Sequence, residues 1–136
     1  MDKALFYPIL LQGTLTFSVL ALFVRRRFKA AYAGKTDPKY FKLYQGKGEP
    51  PEVRVVDRNF SSQFEMPVLF YVVSLAAMVL DKADDVMLAA AWAYASFRVL
   101  HAYVHIYVRK IMTRFYAFMA SNIALIFMWV WLAIGA

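Results

Sequence analysis

Long apolar runs separated by shorter polar stretches dominate the sequence. The runs cover approximately residues 5–24, 60–80, 86–108 and 115–134. A helix needs about 20 mostly apolar residues to cross a hydrocarbon core about 30 Å thick, and each run reaches that length. The pattern therefore predicts an all-α membrane protein in which a four-transmembrane-helix bundle occupies residues 1–136 as a single domain.

The basic residues between the runs predict the orientation of the bundle. Ten Lys or Arg lie between residues 25 and 58, and three more surround the turn between the last two runs. The other connections carry only Lys3 and Lys82. By the positive-inside rule, loop 25–58 faces the cytoplasm and both termini face away from it. The triple arginine that follows the first run predicts a retained anchor in place of a cleaved signal peptide.

Composition narrows the possible functions. Hydrophobic residues make up 62% of the chain and charged residues 18%, with a net charge of +7 and no cysteine. Soluble domains are usually about 45–50% apolar, so most soluble enzymes are excluded. No basic stretch resembles a nucleic-acid-binding module, so we expect no nucleic-acid partner. Without cysteine, any thiol in the chemistry must belong to a substrate. The short loops favour a bacterial inner membrane over the endoplasmic reticulum.

Two charged residues lie deep within the apolar runs. Counted from the outer turn, Glu65 and Arg98 lie at similar depths, and a buried charge needs a partner or water. We therefore expect an ion pair between them, which is as consistent with a structural clamp as with a functional group. Pro67 removes a helix hydrogen bond and predicts a bend near Glu65.

The third run carries polar residues on two sides. Arg98, His101 and His105 share one face, whereas Tyr103 and Tyr107 lie nearly opposite. Polar groups on both sides predict that protein surrounds this helix, and hence an oligomer. The two histidines are four residues apart, but no third ligand has suitable spacing, so we expect no metal site.

A motif in the second run resembles a known family. Pro-Pro-Glu at 50–52 is followed by Arg58 and by Ser-Gln-Phe-Glu-Met-Pro at 62–67. This segment resembles the start of helix two in the MAPEG superfamily, the membrane-associated proteins of eicosanoid and glutathione metabolism. The spacing of Tyr103, Tyr107 and Arg114 is similar to that of the cysteinyl-leukotriene synthase branch. Arg98 and His101 are similar to the Arg-x-x-His of the microsomal glutathione transferase branch.

The resemblance implies a fold, an activity and a set of site residues. The fold is a homotrimer of four-helix bundles that bind glutathione between protomers near the cytoplasmic interface. The activity is that of a glutathione-dependent transferase or peroxidase, with glutathione as co-substrate and a hydrophobic small molecule or lipid as the second substrate. The resemblance assigns thiolate stabilisation to Arg114 and a supporting role to Arg98 and His101. The implied glutathione-binding residues are Arg26, Arg27, Arg58, Ser62, Glu65, Tyr103 and Tyr107.

One position departs from the family pattern. Ser62 stands where the family usually has asparagine, and a hydroxyl offers fewer hydrogen-bonding groups than a carboxamide. This departure keeps open a non-catalytic, MAPEG-like protein that binds a lipid or a partner protein. A third hypothesis is a small proton-coupled transporter with Glu65, Arg98, His101 and His105 as a relay.

Overall fold

The computed structural model describes residues 3–34, 50–108 and 110–135, and this part of the chain is almost entirely helical. A short 3₁₀ turn at Lys3–Leu5 leads into α1, Phe6–Tyr32. Helix α2 is Pro51–Ser62 and α3 is Met66–Val79. Helix α4, Asp85–Tyr103, continues into a π-helical turn, Val104–Val108, and α5 is Ile111–Gly135.

Three of the four predicted spans are long and apolar enough to cross a membrane. They are the helical stretches Lys3–Tyr32, Pro51–Val79 and Ile111–Gly135. Helix α4 is not among them, because Arg98 and its neighbouring histidine lower the mean hydropathy of the segment. It nevertheless packs along both α1 and α5, and its contact with α5 is the most extensive between helices.

The helices extend into the predicted basic loop from both sides. Helix α1 continues through Arg25–Arg27 to Tyr32, and α2 begins at Pro51, so both ends of segment 25–58 are helical. Arginine, lysine and alanine favour helix, and a helix does not need to end where the lipid does. Residues 35–49 of that loop, and Arg109 in the next connection, lie outside the described residues.

The second span is interrupted near Glu65, as the position of Pro67 predicts. Helix α2 ends at Ser62 and α3 begins at Met66, so Gln63–Glu65 separates them. Proline has no backbone N–H and its ring clashes with the preceding turn, which prevents a continuous helix here. The break allows the side chain of Gln63 to point into the bundle, where it is 1% exposed.

Apolar packing forms two clusters along the bundle. At the end near the 81–84 turn, Phe70 stacks on Tyr94 with ring centroids 4.5 Å apart, and both rings are fully buried. At the opposite end, Val53 and Val56 of α2 pack with Val19 and Phe23 of α1. Buried polar side chains of Gln12, Gln63 and Arg98 lie between the two clusters.

The turn between α3 and α4 is anchored by a carboxylate. Asp84 Oδ1 accepts a hydrogen bond from the backbone N–H of Met87 at 2.8 Å and caps α4. Its two oxygens also lie 3.2 and 3.0 Å from the indole Nε1 of Trp131. The Met87 N–H, followed by the indole N–H, lowers the pKa of Asp84 below its ordinary value because both stabilise the carboxylate.

Candidate functional site

Helix α2 presents two stripes with different chemistry. Val56, Asn59 and Gln63 follow at i, i+3 and i+7, and all three are buried. Arg54 and Arg58 are four residues apart and exposed on another face. Helical periodicity therefore places the buried stripe toward the bundle and the two arginines on a separate, exposed face.

The exposed arginines meet α5 and the π turn around a polar cavity. The cavity has a volume of 430 Å³ and is lined by Arg54, Arg58, His105 and Arg114, together with two apolar residues of α2. Two adjoining cavities of 230 and 290 Å³ share His105 and Arg114 with it. These three spaces are called the cationic cavity below. His105 and Arg114 are the two residues that line all three spaces.

The charge around the cationic cavity is strongly one-sided. Arg54, Arg58, Lys110 and Arg114 line it, and no Asp or Glu does so among the described residues. Arginine stays charged in partly desolvated surroundings and pairs with carboxylates through two parallel hydrogen bonds. The cavity is therefore suited to a small anion, and a guanidinium beside a thiol favours its thiolate form.

Arg98 pairs with a different residue from the one expected. Its Nη2 donates to Ser62 Oγ at 3.2 Å, whereas Glu65 is exposed at the break between α2 and α3. Among the described residues, no ion pair within 4 Å joins Glu65 to Arg98, and the two charges interact only at longer range. Equal depth in the membrane does not bring the two side chains together, because Glu65 is exposed at the break between α2 and α3. Arg98 is 1% exposed, and its Nε has no hydrogen-bond partner in the described structure.

Ser62 and His101 form the deep wall of the cationic cavity. Both line its 290 Å³ part, together with Phe115 and Phe118 of α5. The Ser62 hydroxyl donates to the Asn59 carbonyl at 2.6 Å, so its single hydrogen is already used. The His101 ring lies 5.6 Å from that of Phe118, and its Nδ1 is buried without a hydrogen-bond partner.

Tyr103 and Tyr107 lie on a different side of the bundle from Arg58 and Arg114. They line a separate groove of 220 Å³ between α1 and α4, and each residue is 57% exposed. Arg26 belongs to the same region, with its guanidinium 5.5 Å from the Tyr107 ring centroid. Its Nη1 also donates to the backbone carbonyl of Glu52 at 3.1 Å. Within one chain, the predicted glutathione-binding residues are thus divided between two places.

Arg27 contacts an aromatic ring of its own helix. Its guanidinium lies 4.2 Å from the ring centroid of Phe23, one helical turn earlier in α1. This geometry is typical of a cation–π contact at the end of a helix. Arg27 lines none of the cavities described above.

The structure also reveals a buried amide network that the sequence analysis did not identify. Gln12 Nε2 donates to Gln63 Oε1 at 2.7 Å, and Gln63 Nε2 donates to Asn59 Oδ1 at 3.1 Å. Asn59 Nδ2 then lies 3.0 Å from His105 Nδ1. The sequence did contain a signal for it: Asn59 and Gln63 occupy the spacing of a buried helix face, where an unpaired amide would be costly.

Comparison with known proteins identifies one family. The family model described as MAPEG family matches residues 5–134, which is nearly the whole chain. No curated protein and no solved structure matches the chain. The match agrees with the resemblance carried by the motif in α2.

Proposed function

The chain belongs to the MAPEG family and is an integral membrane protein, and from this premise we propose that it is a glutathione-dependent transferase or peroxidase. The second substrate would be a lipophilic electrophile that reaches the protein through the bilayer. Glutathione would bind in the cationic cavity, and the working form would be a homotrimer.

The observation that carries this proposal is the convergence of cations on one cavity. Arg54, Arg58 and Arg114 come from two helices and line the same 430 Å³ space beside His105. Glutathione carries two carboxylates, one ammonium and a thiol. Its anionic groups match three guanidinium groups, each able to hold a carboxylate through two hydrogen bonds. A lipid-packing role alone would not require these cations to converge on a cavity.

Arg114 is the residue proposed to stabilise the thiolate. It is half-buried and contributes to each part of the cationic cavity. A guanidinium next to a thiol lowers the thiol pKa, because the positive charge stabilises the anionic sulfur. The phenyl rings of Phe115 and Phe118 would exclude water from one side of the sulfur and strengthen that interaction.

The division of the predicted residues between two places supports an assembly of more than one copy, and a homotrimer is the assembly that the resemblance implies. Glu65, Tyr103 and Tyr107 line no part of the cationic cavity of their own chain. If they contact glutathione, as the resemblance implies, a second copy must bring them to it. The exposed tyrosine face of α4 and the exposed Glu65 are available for such an interface.

An apolar groove offers space for the second substrate. It has a volume of 560 Å³ and runs between α4 and α5, with walls that include Ala93, Phe97, Ile123 and Phe127. Small alanines leave the groove open, and the large residues around it are compatible with an acyl chain or an aromatic compound. The groove supports a lipophilic substrate class without selecting one compound.

The proposal is tested by conjugation kinetics with a chlorinated aromatic and by stopped-flow detection of the bound thiolate. Arg114→Ala should lower the thiolate signal and the turnover by at least about tenfold, because the charge that stabilises the anion is removed. Lys29→Ala is the control, since it removes an exposed cation on α1 outside the cavity. A thiolate signal in Arg114→Ala equal to that of the wild type would refute the assigned role.

A non-catalytic MAPEG protein that binds a lipid or a partner is the second candidate. The observation that favours it is the bonding of Ser62, whose hydroxyl donates to Asn59 and accepts from Arg98. This side chain therefore has no hydrogen left for a ligand. Calorimetric titration distinguishes the two functions, because a non-catalytic protein of this kind would show no heat with glutathione at millimolar concentration.

A further inference from the structure

Arg54 lines the cationic cavity, although the resemblance assigns it no role. It lies four residues before Arg58, so the two arginines share one exposed face of α2. Both line the 430 Å³ part of the cavity, together with Arg114 of α5. Like charges at this spacing destabilise a helix slightly, so two such arginines beside a cavity favour a bound anion over water alone.

No carboxylate of the described chain lines the cavity beside Arg54. Glu52 and Asp57 are the acidic residues of α2, and neither lines any of the three spaces. Lys110 adds a fourth cation in the 230 Å³ part. An anionic group is therefore attracted to this end of the cavity, whereas an ammonium group is repelled.

Arg54 lies at the end of the cavity away from the proposed thiolate site. Ser62, at the deep wall, is eight residues further along α2, which corresponds to a rise of about 12 Å. The sulfur is proposed to lie beside Arg114 in the part that Ser62 lines. In an extended peptide the glycine carboxylate lies about two residues beyond the cysteine, or roughly 7 Å away. A long arginine side chain is sufficient for the remaining distance, so one end of glutathione can contact Arg54 while the sulfur lies at Arg114.

The two ends of glutathione differ in charge. The γ-glutamyl end has an ammonium and a carboxylate on the same carbon, whereas the glycine end has a carboxylate alone. Beside Arg54, Arg58 and Lys110, the ammonium would meet only like charges among the described residues that line the cavity. A lone carboxylate can instead accept two parallel hydrogen bonds from one guanidinium. The charge pattern therefore favours the glycine end.

We propose that Arg54 binds the glycine carboxylate of glutathione, so that the cationic cavity selects peptides with a free carboxylate at that end. This proposal rests on the proposed function, because it takes glutathione as the ligand. The γ-glutamyl end then lies away from Arg54. Arg54 thereby determines specificity, whereas Arg114 acts on the thiol.

Three ligands separate the two ends of the peptide in isothermal titration of the protein in lipid nanodiscs. Glutathione has both carboxylates. Its glycine ethyl ester lacks the charge at the glycine end, and γ-aminobutyryl-cysteinylglycine lacks the γ-glutamyl carboxylate but keeps the ammonium. The last two have the same net charge, so a difference between them does not arise from overall attraction to a basic protein. The wild type should bind the ester at least about tenfold more weakly than glutathione, as expected for losing a hydrogen-bonded charged group.

Arg54→Gln should remove this selectivity. We expect its dissociation constant to rise about tenfold for glutathione and for the aminobutyryl analogue, which keep the glycine carboxylate, and by less than about twofold for the ester. Arg54→Lys keeps the charge but not the two parallel hydrogen bonds, so it should recover part of the affinity. Lys29→Gln is the control, because it removes an exposed cation of α1 that lines none of the three spaces, and its affinities should equal those of the wild type.

The outcomes separate this proposal from the proposed function. Equal binding of glutathione and its ester by the wild type would overturn the proposal and leave the proposed function intact. An Arg54→Gln protein with unchanged affinity for glutathione, or with equal losses for the ester and the aminobutyryl analogue, would overturn it as well. If the wild type binds none of the three ligands, the proposed function fails and this proposal fails with it. Arg54 is exposed, so its replacement should leave the helical circular dichroism spectrum unchanged.

Discussion

The bond between Ser62 and Arg98 gives a quantitative test of how the bundle accommodates its buried charge. Arg98 is 1% exposed, and the hydrogen-bond acceptor described for it is Ser62 Oγ at 3.2 Å. Ser62→Ala removes that acceptor and leaves the guanidinium without a described partner. A buried charge without its partner is strongly unfavourable, so the free energy of unfolding should fall.

The magnitude of the loss distinguishes a charged donor from ordinary helix packing. Hydrogen bonds to charged groups contribute about 1.5–3 kcal/mol, whereas neutral bonds between helices in a membrane average about 0.6 kcal/mol. We therefore expect Ser62→Ala to cost about 2 kcal/mol. Part of the loss arises from the Ser62 bond to the Asn59 carbonyl, and this part does not depend on Arg98.

A double-mutant cycle with Arg98→Met isolates the interaction between the two side chains. Methionine conserves much of the volume and removes the charge, so Ser62→Ala should then cost about 0.5 kcal/mol or less. The resulting coupling energy would be about 1–2 kcal/mol. The assay is reversible unfolding in mixed micelles with increasing sodium dodecyl sulfate, followed by circular dichroism. An equal cost of Ser62→Ala in both backgrounds would show that the reasoning is wrong.

Three further predictions concern other parts of the bundle. Phe70→Ala removes a fully buried ring stacked on Tyr94, and should cost about 3–5 kcal/mol in the same unfolding assay. Glu65→Gln should change the free energy of unfolding by less than about 0.5 kcal/mol, because the carboxylate is exposed and forms no ion pair within 4 Å with Arg98. A loss of several kcal/mol would instead indicate a direct ion pair between the two side chains. The folded pKa of Asp84 is lowered, so its carboxylate stabilises the fold above the ordinary aspartate pKa, and this contribution disappears as the pH falls through the folded pKa. Asp84→Ala should therefore lower the melting temperature at neutral pH and flatten its decline in acid, and a parallel decline in both proteins would contradict this.

The helices and the break between α2 and α3 could be predicted from the sequence. Apolar runs of membrane-spanning length give the helices, and Pro67 has a local effect that no distant contact reverses. The ends of the helices were harder to predict, because the basic residues 25–27 end the apolar run without ending the helix. Hydropathy measures where lipid is tolerated, whereas backbone hydrogen bonding determines where a helix ends.

The pairing of polar side chains could not be predicted in the same way. Similar depth in the membrane suggested that Arg98 contacts Glu65, but depth does not determine the direction in which each side chain leaves its helix. The break at Gln63–Glu65 turns Glu65 outward, and Ser62 becomes the partner of Arg98. The direction of a side chain next to a break depends on backbone angles that the sequence pattern does not specify.

The candidate site was predicted in part. Arg58, Ser62 and Arg114 line the cationic cavity, and His101 lies at its deep wall. Tyr103 and Tyr107 lie elsewhere on the same chain, because they are two residues removed from the face of α4 that His101 and His105 share. If copies assemble as proposed, their arrangement decides whether these tyrosines approach a ligand.

Glutathione binding by the purified protein in lipid nanodiscs tests whether the cationic cavity is a glutathione site. Isothermal titration should show saturable binding to the wild type, unchanged binding to Lys29→Ala, and at least about a hundredfold weaker binding to an Arg58→Gln/Arg114→Gln protein. Glutamine conserves a polar side chain while it removes the charge, so the comparison reports on the cationic cavity. Binding to the double variant as tight as to the wild type, or no binding to the wild type at millimolar glutathione, would show that the cationic cavity is not a glutathione site.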